Sequence, residues 1–198
     1  MIKIISTEIL SDNYFKLKKV NYEFKRRDGT TKKVSREVYF SSNAAAVLLY
    51  NRNERTVVLT KQFRMPTYLN KNDTGLLLEV CAGHVEENED PKEAIIREIE
   101  EETGYRVEDV RKIFEMYMSP GTVAEMLGYF VAEYFSGQKI NEGGGLADEN
   151  EDIEVVELPF EEAYSKIQSG EIKDAKTALL LQYAKMYLFP EEKVFDIL

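Results

Sequence analysis

Four of the five residues from Glu98 to Glu102 are glutamates, and they close a helix-like stretch that opens at Pro91. That placement is electrostatically poor. A helix C-terminus carries roughly −0.5 charge and prefers cations by about 0.3–1 kcal/mol per group. Glu98 and Glu102, four residues apart, share a face and repel by about 0.2–0.5 kcal/mol. Selection for helix stability alone would reverse these charges. A divalent cation held by Glu98 and Glu102 would turn the repulsion into coordination. Oxygen-only ligands at a site that can keep waters favour Mg2+ or Mn2+ over zinc. A second acidic window, residues 147–154, holds five acids and no base. Residues 86–102 hold nine acids and two bases. These two windows more than account for the net charge of −10 on 198 residues.

Other chemistries are disfavoured. One cysteine, Cys81, excludes an intramolecular disulfide and a multi-cysteine zinc site, and one histidine, His84, leaves little for histidine-based catalysis. No 18-residue apolar run occurs, and Met1–Leu10 lacks the long apolar core of a signal peptide, so no membrane span is expected and a cytoplasmic location is the default. Residues 1–40 carry ten bases against five acids, but the bases alternate with apolar residues like the solvent face of strands. No nucleic-acid partner is expected from that pattern.

The elements that must position the acids are legible in outline. Alternation over Tyr14–Phe24 and Lys32–Phe40, with Asp28-Gly29 between them, predicts a hairpin. On such a strand Tyr14 and Phe15 would point to opposite faces. Ala44–Tyr50 and Thr56–Phe63 read as strands joined by a polar turn, Leu76–Val80 as a short buried strand, and Gly128–Phe135 and Ile153–Leu158 as further strands. A helix is expected over Pro91–Thr103, with Asp90 as its cap and Gly104 just past its end. Two more are expected near Phe160–Gln168 and Ala175–Phe189, and a long mobile loop over Gly137–Asn150. Strands and helices that do not strictly alternate indicate an α+β fold with a mixed sheet.

Spacing carries the reading further. Gly83, five residues, Glu89, seven residues, and then Arg97-Glu98-Ile99-Glu100-Glu101-Glu102-Thr103-Gly104-Tyr105 resembles the Nudix box, with Tyr105 as the one departure from a bulky aliphatic. The segments 9–15, 36–39, 62–64, 117–121, Glu125, 143–160 and 170–183 are similar to GDP-mannose hydrolases, in the ADP-ribose pyrophosphatase branch of that superfamily. The resemblance implies an α/β/α sandwich with an N-terminal β extension, residues 1–42, joined to a hydrolase domain, residues 43–198. It implies Mg2+-dependent cleavage of the pyrophosphate of a nucleotide sugar, with GDP-mannose first, ADP-ribose second, and an inactive nucleotide-sugar-binding module third. It further implies a homodimer whose N-terminal strands reach the partner subunit.

Roles follow from the same resemblance. Glu98, Glu102, Glu151 and the carbonyl of Ala82 would hold metal, with Glu101 nearby in the inner or outer shell. Glu149 is a candidate general base beside Glu151. Tyr14, Ser35, Arg36, Glu37, Arg64, Glu125, Asn150 and Lys176 would contact substrate. Glu89 and Arg97 would form an ion pair that orients the glutamates, and His84 would be structural or substrate-adjacent. The physical logic agrees: carboxylates that gather cations repel an anionic substrate, so Arg36, Arg64 and Lys176 must attract it.

Overall fold

The structure is a computed structural model describing residues 2–146 and 151–190. Two sheets make up its β structure. The first is an N-terminal sheet of β1 (Ile2–Asp12), β2 (Lys16–Lys25) and β3 (Thr31–Phe40), all antiparallel, extended by a two-residue parallel strand, β9 (Val123–Ala124). The turn at Asp28-Gly29 forms as the sequence predicts: Gly29 adopts φ +85°, and the Asp28 carboxylate accepts from the Thr30 amide at 2.9 Å. Ile2–Leu10, not read as a strand from the sequence, supplies most of β1.

The second sheet runs β11 (Glu154–Pro159), β5 (Thr56–Phe63), β4 (Ala44–Asn51), β10 (Leu127–Glu133) and β8 (Arg111–Met116), with β4 and β10 parallel. Strands β6 (Leu76–Glu79) and β7 (Cys81–His84) complete it. β4 pairs β5 only over Leu49–Asn51, and its Ala44–Val47 half pairs β7 instead. β5 likewise turns from β4 to β6 beyond Val58. The two central strands therefore splay, and the β6–β7 run, interrupted at Val80, fills the gap. Val80 is fixed there from below: its amide donates to the buried Thr177 hydroxyl at 2.8 Å.

Both faces of this sheet are covered, which is why β4 reads as a continuous apolar run, AAAVLLYN. Ala45, Val47 and Leu49 pack with Ala94, Ile95 and Ile99 of the acidic helix. Ala46, Leu48 and Tyr50 pack with Phe160 of α3 (Phe160–Gln168) and with Leu180, Leu181 and Ala184 of α4 (Ala175–Tyr187). This is the expected α/β/α sandwich. Among the described residues no helix is long and apolar enough to cross a membrane.

Four expectations are corrected. The helix opening at Pro91 is α-helical only through Glu98 (α2); Ile99–Thr103 is a π-helical turn, ended by Gly104 at φ +74°. Tyr14 and Phe15 lie in the bend between β1 and β2 rather than on a strand, and their rings meet at 4.6 Å instead of facing apart. Leu76 at the start of β6 is exposed, so that strand is buried only toward Glu79. The stretch 137–150 is not loose over its described part: a 3-10 turn forms at Ser136–Gln138, and the triple glycine is docked. The chain also forms a five-residue helix, α1 (Met65–Leu69), which the sequence did not signal.

Candidate active site

The π-helical turn sets the acidic cluster. Such bulges recur at functional sites because they change which side chains share a face. Glu102 is 2% exposed and accepts from the Ala82 amide at 3.3 Å. Burial, with the nearby charges of Glu98 and Glu151, pushes its carboxyl up to about 8 despite the opposing influence of Cys81 and Arg64. Glu98 is raised too, chiefly by burial, with Glu101 and Glu151 adding to it and Arg97 opposing. Arg97 is the organiser: it bonds Glu89 at 3.3 Å, Glu98 at 2.9 Å and Glu101 at 3.0 Å. Gly83 leaves room for the Glu98 carboxyl, since a Cβ there would lie 2.0 Å from its carboxyl carbon and displace it.

The glycine-rich loop closes this arrangement. The Gly144 and Gly145 amides donate to the carbonyls of Glu102 and Glu101 at 2.9 and 3.0 Å, capping the end of the π turn. Gly143 and Gly145 adopt φ +70° and +80°, and a Cβ on Gly145 would lie 2.4 Å from a Glu151 carboxylate oxygen. Glu151 is held to the loop from the other side, accepting from the Leu146 amide at 3.2 Å.

A cleft of about 460 Å³ opens over these groups, lined by Ala82, Gly83, Arg97, Glu98 and Glu151 and by Arg64, Lys176 and Asp174, with Tyr14, His84, Met118, Glu125 and Leu127. Tyr14 is 84% exposed at this cleft, and Phe15 beside it meets the His84 ring at 5.6 Å. The Glu125 carboxylate accepts from Ser41 at 3.3 Å. Arg64 and Lys176 both bond the buried Glu79, and Lys176 also meets Asp174 at 3.0 Å. Burial would pull the Lys176 amine down, but Glu79 and Asp174 hold it above its ordinary value.

The sequence-predicted residues therefore divide. Tyr14, Arg64, Ala82, Glu98, Glu125, Glu151 and Lys176 are brought together. Glu102 lies beneath the cleft, and Glu101 turns to Arg97. Ser35, Arg36 and Glu37 are exposed on β3 and do not line the cleft of their own chain; Arg36 bonds the neighbouring Ser35 carbonyl at 3.0 Å. Glu149 and Asn150 lie outside the described residues. Glu79 and Asp174 were missed. The signal for Glu79 was an acid ending the apolar run LLLE; Asp174 reads only as a helix cap, which it also is.

Oxygen donors dominate the cleft, and carboxylates that raise one another's pKa are what a hard divalent cation stabilises. Among the described residues no three acidic, His or Cys side chains already converge on one point. Each candidate ligand instead accepts a protein donor: Glu98 from Arg97, Glu102 from Ala82, Glu151 from Leu146. The donor chemistry fits a cation that would take over from these hydrogen bonds.

Comparison with known proteins agrees with the geometry. The GDP-mannose pyrophosphatase NudK N-terminal domain matches residues 1–39. The GDP-mannose pyrophosphatase of Escherichia coli O157:H7 is 51% identical over 185 residues, covering 93% of this chain and 95% of the relative. That of Yersinia pestis strain Pestoides F is 52% identical over 189 residues, covering 96% and 94%. The NUDIX domain matches residues 41–181, which contain the acidic helix, the glycine loop, Arg64 and Lys176. On that extent of agreement, the chain belongs to the Nudix family.

Proposed function

We propose that this chain hydrolyses the pyrophosphate linkage of GDP-mannose, releasing GMP and mannose 1-phosphate, with Mg2+ as its metal ion. The observation that carries the reading is one cleft lined by Glu98 and Glu151 together with Arg64 and Lys176. Relatives at about half identity are named for that activity. Nudix hydrolases use divalent metal ions.

The chain's residues divide the work. Arg64 and Lys176 supply the N–H donors that hold the diphosphate in a cleft whose carboxylates would repel it. Glu98, Glu102, Glu151 and the Ala82 carbonyl would hold the metal; once bound, it supplies charge neutralisation at the phosphoryl oxygens and a lower pKa for water. Arg97 keeps Glu98 and Glu101 in place through its Glu89 pair. Glu149, or Glu151 beside it, takes the proton of the attacking water. Tyr14, Glu125 and Asn150 contact the nucleoside or sugar.

Residues 1–42 act as an arm that a second copy shares. Ile2, Ile4 and Ile9 are exposed along β1, an apolar edge that a partner subunit would cover. In a homodimer of this kind Ser35, Arg36 and Glu37 would serve the partner's cleft, which accounts for their distance from their own. The single, unpaired Cys81 suits a reducing cytoplasm.

Incubating the purified protein with GDP-mannose and Mg2+ tests the reading. GMP and mannose 1-phosphate are expected; GDP and free mannose would overturn it.

A further inference from the structure

Glu79 is a buried acid to which the mechanism above gives no part. Its side chain is 4% exposed, at the end of β6, and it meets two cations at once. Arg64 donates from Nε to one carboxylate oxygen at 2.7 Å, and Lys176 donates from Nζ to the other. Lys176 spends a second proton on Asp174 at 3.0 Å. The arrangement spans the chain: Arg64 follows β5, Glu79 ends β6, and Lys176 stands in the first turn of α4.

Two cations and two acids leave this quartet without net charge. An anion is therefore not held here by an unbalanced field but by donors fixed in direction. The Nε contact decides which donors those are. Glu79 is bonded by Nε of Arg64, so the half-exposed guanidinium, which lines the cleft, keeps N–H donors that Glu79 does not use. Lys176, only 14% exposed, is locked beside them.

We propose that Glu79 is a positioning residue: it clamps Arg64 and Lys176 at a fixed separation so that the two grip one phosphoryl group of a nucleoside diphosphate sugar. This rests on the hydrolase reading above. Glu79 does not touch substrate and acts through the two cations alone.

Two variants test it. Glu79→Gln keeps the shape and removes the charge; Glu79→Asp keeps the charge but is one methylene too short to reach both cations. Each is expected to raise KM for GDP-mannose at least about tenfold with kcat within about threefold, the pattern of lost uniform binding. Each should weaken calorimetric binding of inorganic pyrophosphate, in buffer containing Mg2+, by a similar factor. Wild-type behaviour of Glu79→Asp would overturn the clamp, because charge alone would then suffice. A fall in kcat at constant KM, or loss of fold by circular dichroism in both variants, would also overturn it. If wild type binds pyrophosphate but leaves GDP-mannose intact, the substrate reading fails while the pyrophosphate series still judges the clamp.

Discussion

Tyr105 donates its phenolic hydrogen bond to Glu157 at 3.0 Å, tying the residue that follows the acidic turn to the strand that follows Glu151. Tyr134 donates to the same carboxylate at 2.7 Å, and the two rings meet edge-on at 4.7 Å. The one departure from the box thus acquires a use. An aliphatic residue would fill the core equally but could not reach across to β11.

Replacing Tyr105 by Phe should therefore cost about 0.5–1.5 kcal/mol, the net worth of one hydrogen bond. Burial and Glu157 push the Tyr105 phenol up to about 12 from an ordinary value of 10, and Tyr134 is raised further still. The folded state then binds protons more tightly than the unfolded chain. The linked stabilisation is complete below pH 10 and disappears as pH rises through about 12. Thermal unfolding across that range should fall more steeply for wild type than for Tyr105→Phe; parallel curves would contradict the linkage.

Glu98→Gln and Glu102→Gln should each lower kcat at least about a hundredfold while the fold persists. Without metal, Glu102→Gln should be no less stable than wild type, because a neutral amide replaces a carboxylate whose charged form is penalised by burial. Added Mg2+ should raise the melting temperature of wild type, by about 2.7 kcal/mol of stabilisation at a hundred times Kd, and leave both variants nearly unmoved. Differential scanning calorimetry with and without chelator reads both effects.

Gly145→Ala would place an L side chain at a strained φ of +80° and, on the same backbone, bring its Cβ 2.4 Å from a Glu151 carboxylate oxygen. A loss of about 1–3 kcal/mol in stability is expected, together with a kcat deficit from displaced Glu151. A fully active Gly145→Ala enzyme would mean that Glu151 is not held where the reaction needs it.

Subunit mixing tests the shared arm. Arg36→Ala spoils the arm and Glu98→Gln the metal site, each in its own homodimer. If arms cross, half of the sites in mixed dimers combine an intact arm with an intact metal site. Unfolding and refolding equal amounts together should restore about a quarter of wild-type activity. No restoration would show that each chain serves its own cleft.

The legible parts of this molecule were those written in local pattern. The run from Ala44 to Tyr50 announced a strand, and Asp90-Pro91 and Gly104 marked where the acidic helix begins and ends. The π turn between Glu98 and Gly104 was not legible, because one extra residue per turn leaves the apolar spacing of Ile95 and Ile99 unchanged. β7 is four residues long and contains Gly83, too short to alternate, yet it forms the floor of the cleft. Glu79 and Lys176 meet across 97 positions of sequence, a pairing that no window reveals. The docking of Gly144 and Gly145 was hidden for the same reason: a glycine run reads as freedom until the carbonyls that receive its amides are in place.

That docking resolves a competition. A lysine or arginine can satisfy a helix end, and a further one beside Glu101 and Glu102 would contend with any divalent ion for the same carboxylates. Backbone amides from Gly144 and Gly145 satisfy the terminal carbonyls without bringing a formal charge. The chain thereby adds no further cation to the corner that Arg97 already serves, and the segment that seals the helix is the one that delivers Glu151.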